Sequence, residues 1–148
     1  MNPARMTAVQ YRAELLPTNR SAAARWRDCP LESEEQAALF AWARLTEARH
    51  PELAYLVAVP NGGLRNAVTG ARLKAEGTRK GFPDMILPVA RGGYHALAIE
   101  LKREKHGAVS PEQKLWLDAL NKFGWLAVVC KGVAAAITVI EDYLRLEG

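Results

Sequence analysis

Cysteine and histidine are both scarce. The two cysteines, Cys29 and Cys130, lie far apart and form no CxxC pair. A disulfide scaffold is thereby excluded, a reducing compartment is expected, and Cys130 reads as a small hydrophobe inside an apolar run. The three histidines, His50, His95 and His106, stand at no metal-ligand spacing, which excludes a structural zinc site. No apolar run approaches the roughly 20 residues of a membrane span, and the arginine-dotted N-terminus has no signal-peptide core. No membrane association and a cytoplasmic location are expected. A strong charge imbalance is missing as well: 20 Lys plus Arg against 16 Asp plus Glu leave a net +4, which permits a polyanionic partner without demanding one. What is present is ordinary: 148 residues, 49% hydrophobic and 24% charged, about one soluble domain with a core of its own.

Residues 1–30 stand apart from the rest. They carry Arg5, Arg12, Arg20, Arg25 and Arg27 against Glu14 and Asp28, a local +3, without sustained apolar periodicity. They read as a basic arm or short helix outside the core, either a poorly ordered terminus or a DNA-touching arm. The domain is expected over 31–148. Ser33 and Gln36 suggest a capping box, with Glu34 and Glu35 suited to the helix dipole, and an apolar stripe runs from Leu39 to about Ala48. Residues 53–59 read as a buried strand, ended by the turn signal Pro60-Asn61-Gly62-Gly63. The pattern over 64–77 is weak, a short helix or a structured loop. Residues 85–89 and 94–102 read as strands of a hairpin turning at Arg91-Gly92-Gly93. A second capping box, Ser110-Pro111-Glu112-Gln113, opens a helix that Gly124 closes. A strand over 125–130 and an amphipathic helix over 133–144 follow. The expected fold is α/β, a mixed sheet of about four strands flanked by helices, in the order α-β-β-β-α-β-α.

Side chains alternate along a strand, so Leu97, Ile99 and Leu101 define one face and Ala98, Glu100 and Lys102 the other. A hairpin centred near Gly92 sets Asp84 opposite Ile99 or Glu100, and either register makes the Asp84 and Glu100 carboxylates neighbours. Like charges so placed are destabilising unless something positive lies between them. Hard carboxylate oxygens suit Mg²⁺, and Lys102 stands beside it, ready to orient or help deprotonate a water. Those are the parts that hydrolyse a phosphodiester.

Pro83-Asp84 with Glu100-Leu101-Lys102 resembles the PD-(D/E)xK nuclease superfamily. More narrowly, the chain resembles the virus-type replication-repair nuclease (VRR-NUC) domain from about Leu31 to Leu144. The resemblance includes Glu32-Ser33 and Gln36, Pro60-Asn61-Gly62-Gly63, Leu73-Lys74-Ala75-Glu76-Gly77 and Gly81-Phe82-Pro83-Asp84. It continues through Ile99-Glu100-Leu101-Lys102 and Ser110-Pro111-Glu112-Gln113 with Trp116. It implies a restriction-endonuclease-like core in which Asp84, Glu100 and the Leu101 backbone carbonyl ligate Mg²⁺ or Mn²⁺. Lys102 would position water, Glu32 would assist at the metal with Glu35 in reserve, and Gln113 would line the site. No other cofactor is implied. Small stand-alone members resemble bacteriophage-type homodimers acting on branched DNA such as four-way (Holliday) junctions. The expectation is therefore a structure-selective endonuclease of a bacterial or phage-infected cell. A flap- or end-directed nuclease and a non-catalytic DNA-binding subunit are the rivals. Trp26 and Trp42 are candidate dimer contacts, although core packing explains Trp42 equally well.

Between Asn61 and Gly81, Arg65, Arg72, Lys74, Arg79 and Lys80 face Glu76 alone, a local +4 that leads directly to Asp84. With Asn61, these residues are the expected grip on the DNA backbone.

Overall fold

A computed structural model of the chain describes residues 29–60 and 67–148. The expectations for the arm, Trp26, Asn61 and Arg65 lie outside the described residues. In chain order the elements are α1 (Glu32–Thr46), a 3₁₀ turn (Pro51–Tyr55), β1 (Val57–Ala58), α2 (Ala67–Ala75) and β2 (Met85–Leu87). Next come β3 (Leu97–Lys102), α3 (Pro111–Lys122), β4 (Leu126–Lys131) and α4 (Gly132–Arg145). The sheet order is β1-β2-β3-β4, with the first two pairings antiparallel and β3–β4 parallel across the α3 crossover. The expected mixed four-stranded sheet is present. The weak segment after the Pro60 turn supplies an additional helix, α2, between β1 and β2.

β3 is buried along its whole length, because helices cover both of its faces. Leu97, Ile99 and Leu101 pack with α1 and α4 through Leu39, Trp42, Val133, Ile137 and Ile140. Full burial of one such side chain contributes about 1.5–3 kcal/mol. The opposite face is thinner: Ala98 and Ala127 meet Leu117 and Leu120 of α3. Trp42 and Cys130 are core residues at 2% exposure each.

Three local expectations are corrected. The strand expected over 53–59 is a 3₁₀ turn followed by only two strand residues. Pro51 at its first position favours a helical turn, and the Leu53 and Leu56 amides close it on His50 and Leu53 carbonyls. What remains of the strand is an exposed edge. The Ser33–Gln36 capping box does not form either. The helix starts two residues earlier, with Leu31 at the cap and its amide donating to the Glu34 carboxylate at 2.8 Å. A carboxylate three residues into a helix serves that amide without any hydroxyl, so Ser33 falls inside the first turn. Finally, β3 begins at Leu97 rather than at 94. Arg91 and Tyr94 exchange both backbone hydrogen bonds around Gly92 and Gly93, whose φ of 56° and 83° suits a tight hairpin turn.

The second capping box is complete: the Ser110 hydroxyl accepts from the Gln113 amide at 3.2 Å, and Gln113 Oε1 accepts from the Ser110 amide at 2.8 Å. α4 has no side-chain cap of its own. Glu35 provides one from the far end of the chain, its carboxylate accepting the Val133 amide at 2.7 Å.

Candidate active site

The β2–β3 register pairs Met85 with Ile99, and one residue further along the ladder Asp84 faces Glu100. Of the two registers open to the sequence, the structure takes the one that sets acid against acid. Asp84 is held from two sides. Its carbonyl accepts from the Val59 amide at 2.7 Å, and its Oδ2 accepts from the Leu101 amide at 2.8 Å. Glu100 is fully buried and Lys102 is 5% exposed, so this face of β3 is not a solvated one.

Glu100 Oε1 accepts hydrogen bonds from Lys102 Nζ at 2.7 Å and from Gln113 Nε2 at 2.5 Å. Glu100 Oε2, equally buried, has no hydrogen-bond partner among the described residues. Gln113, expected either to cap its helix or to line the site, caps α3 and also reaches Glu100. Its carbonyl end serves Ser110 and its amino end serves Glu100.

The helix-one glutamates separate cleanly. Glu32 reaches to 3.7 Å from Lys102 Nζ and stays half exposed. Glu35 is buried at 1% exposure and is committed to the Val133 amide. The structure thus brings Asp84, Glu100, Lys102, Glu32 and Gln113 together and leaves Glu35 outside.

Burial raises the Asp84 carboxyl above its ordinary range, against the pull of the Leu101 amide and the Lys102 ammonium. Burial likewise pushes Glu100 up to about 7, opposed by Lys102 and reinforced by the charge on Asp84. For Lys102, burial disfavours the ammonium, but contact with Glu100 and the charges of Glu32 and Asp84 outweigh it, and its pKa is raised. The acids are therefore hard to ionise together, while the amine holds its proton firmly.

A divalent cation fits this arrangement. Two hard carboxylates stand side by side, one with a buried, unsatisfied oxygen, and positive charge would stabilise both as anions. Among the described residues no group of three or more His, Cys, Asp or Glu side chains gathers to hold a metal. Two neighbouring carboxylates are a donor set that a hard divalent cation accepts, with water completing its shell.

The basic segment is partly neutralised. Arg72 pairs with Glu76 at 3.0 Å and Lys80 with Glu112 at 2.8 Å. Lys74 and Arg79 are exposed and make no ion pair among the described residues.

Trp116 and Gly81, which the sequence offered only as part of the family resemblance, both fasten the loop that carries Asp84. The Trp116 indole N–H donates to the Lys80 carbonyl at 3.1 Å, and its ring meets Phe82 edge to face at 4.8 Å. Gly81 has φ +87°, and a Cβ there would come within 2.6 Å of the Glu112 carbonyl carbon. Only glycine lets the loop lie so close to α3. The signal in the sequence was a glycine beside an aromatic just ahead of the acid.

Comparison with known proteins agrees with this geometry. The family model described as the VRR-NUC domain matches residues 18–134, starting inside the segment set apart by composition. A solved structure titled "VRR_NUC domain protein" superposes with a TM-score of 0.70 at 33% identity, covering 80% of this chain and 91% of that one. No curated protein matches the sequence. The chain belongs to the VRR-NUC domain family. It is a nuclease domain of the PD-(D/E)xK superfamily, and DNA is its substrate class. No helix among the described residues is long and apolar enough to cross a membrane.

Proposed function

We propose that the protein is a Mg²⁺- or Mn²⁺-dependent endonuclease that selects DNA by structure and cuts branched substrates such as four-way junctions as a homodimer. The observation that carries this reading is the buried Glu100 Oε2 beside Asp84, an oxygen that has no partner among the described residues. Asp84 and Glu100 would hold the cation, with the Leu101 carbonyl as a third protein ligand. When bound, the cation supplies electrophilic activation of the phosphodiester and of water.

The chain's own residues do the rest. Lys102, a full ammonium fixed on Glu100, has only donors to offer. It orients the attacking water and balances negative charge on the phosphate, rather than accepting a proton. Glu32 holds the other side of that ammonium. Gln113 fixes the orientation of Glu100. Lys74 and Arg79, exposed and without an ion pair among the described residues, are available to DNA phosphates. A four-way junction has two-fold symmetry and needs two related cuts, which a C2 dimer supplies.

The test is cleavage of labelled four-way, flap, single-stranded and duplex DNA with Mg²⁺ or Mn²⁺, by wild type, Asp84→Ala and Lys102→Ala. Cutting of the junction by wild type alone is expected. Binding without cutting under either metal would reduce the protein to a DNA-binding subunit. A flap preference would redirect the substrate assignment, and active variants would move the site. Light scattering on the same preparation reads the dimer.

A further inference from the structure

Where the end of β1 and the loop after α2 meet α3, the surface opens into a cavity of about 260 Å³. Val59, Pro60, Thr78, Arg79, Phe82 and Trp116 line it. Its aromatic members are fixed in place. Phe82 and Trp116 hold each other edge to face, and the indole N–H is already satisfied by the Lys80 carbonyl. What remains to line the cavity is ring and aliphatic surface, with one exposed guanidinium, Arg79, that makes no ion pair among the described residues.

Phe82 lies two residues before Asp84, and the Val59 amide bonds the Asp84 carbonyl. Two residues of chain span at most about 7 Å, roughly two nucleotide rises of about 3.4 Å along one strand. A strand whose scissile phosphate sits at the acids therefore passes this opening within one or two nucleotides. Aromatic rings with an arginine nearby are the chemistry that stacks nucleobases, in a sequence-tolerant way because every base has a π-face. A base still paired and stacked in a duplex does not present that face.

We propose that this cavity receives a single nucleobase, unpaired or turned out of the duplex, beside the phosphate to be cut. The base stacks against the Phe82–Trp116 pair, and Arg79 holds the adjoining backbone. The inference rests on the nuclease reading and deepens it. It makes this cavity the device by which the protein tells unpaired or distorted DNA from plain duplex.

Two measurements test it. In the first, Asp84→Asn is bound to branched DNA carrying 5-iodouracil at single positions across the junction of paired and unpaired strands. The complex is irradiated, and the crosslinked peptide is mapped. A crosslink to Phe82 or Trp116 from one or two adjacent positions is expected. In the second, an abasic nucleotide is walked through the same region. Wild-type affinity should fall about tenfold at the position that crosslinks. Val59→Phe, which fills the cavity, should lose that position dependence. If Val59→Phe does not fold, the crosslink map and the wild-type scan decide alone. Crosslinks confined to other parts of the protein, with a flat abasic scan, overturn the cavity's role while cleavage continues to support the nuclease. Absence of binding and cutting on every DNA overturns both.

Discussion

Gln113 joins the first turn of α3 to the buried Glu100, its two amide ends serving two different tasks. Oε1 accepts the Ser110 amide, and Nε2 donates to Glu100 Oε1. Replacing it separates the tasks. Gln113→Ala should lose about 1 kcal/mol of stability with the cap, and 10- to 100-fold in metal affinity or activity with the Glu100 contact. Gln113→Glu can still accept from Ser110, but its carboxylate faces Glu100 where the amide donated, so it should keep the cap, add like-charge repulsion and lose activity. Urea unfolding paired with single-turnover cleavage checks this, and a Gln113→Glu variant that cleaves like wild type would contradict it.

Asp84→Asn should leave the metal-free fold intact or slightly more stable. The amide oxygen can still accept from Leu101, while repulsion against Glu100 disappears. The wild type should gain melting temperature with Mg²⁺ or Mn²⁺ by linkage, and the variant should not. Thermal melts with and without each ion decide it. A variant that gained as much as wild type would remove Asp84 from the metal site.

The metal-free protein should lose stability as pH rises. Burial holds Glu100 up at about 7 in the fold, above the ordinary range near 4.3 that an unfolded chain restores. The contribution is fully present below the unfolded value and disappears as pH climbs through the folded one. Asp84 is shifted in the same direction. Urea midpoints in chelator should therefore fall between about pH 4.5 and 7.5, and added Mg²⁺ should flatten that decline. Glu100→Gln should show a shallower dependence than wild type. A midpoint that rises across this range in the wild type would refute the assignment.

Glu32 and Glu35 should give opposite outcomes. Glu35→Ala leaves the buried Val133 amide without its acceptor and should cost about 1–3 kcal/mol, with metal affinity in the folded fraction preserved. Glu32→Ala should change stability little, since Glu32 is half exposed and stands 3.7 Å from an ammonium that Glu100 already holds, but it should slow cleavage. Calorimetric metal titration alongside unfolding distinguishes the two.

Among the basic residues, Lys74→Ala and Arg79→Ala should each lower the slope of log affinity against log salt by about 0.9. Lys80→Ala should lower it less, because Lys80 is already engaged by Glu112. Equal effects at all three positions would mean that the Lys80–Glu112 pair opens when DNA binds.

Much of the site was readable because hairpin arithmetic is local. The turn at Gly92-Gly93 and strict alternation bring Asp84 to Glu100 with little help from the rest of the chain. The Ser110 cap and the Gly124 stop were legible for the same reason. The errors lie where a distant partner overrides a local pattern. Residues 53–59 are apolar enough for a strand, but Pro51 starts a turn and β2 is only three residues long, leaving little edge to pair with. Glu35 fits a helix dipole by its position, yet its partner is an amide on the last helix. The neutralisation of Lys80 by Glu112 and the clasp of Trp116 on the Asp84 loop are tertiary facts with no spacing to announce them.

The Glu35–Val133 bond spans 98 residues of chain. Every side chain gathered at the acids, from Glu32 to Gln113, leaves the ribosome before Val133 does. The helix bearing Glu32 packs against β3 and α4 and donates α4's cap, so its seat is incomplete until α4 has been made. During synthesis the acids and the lysine are thus present in a chain that still lacks the clamp for their helical partner. Order of translation itself keeps an unfinished nuclease from being a complete one.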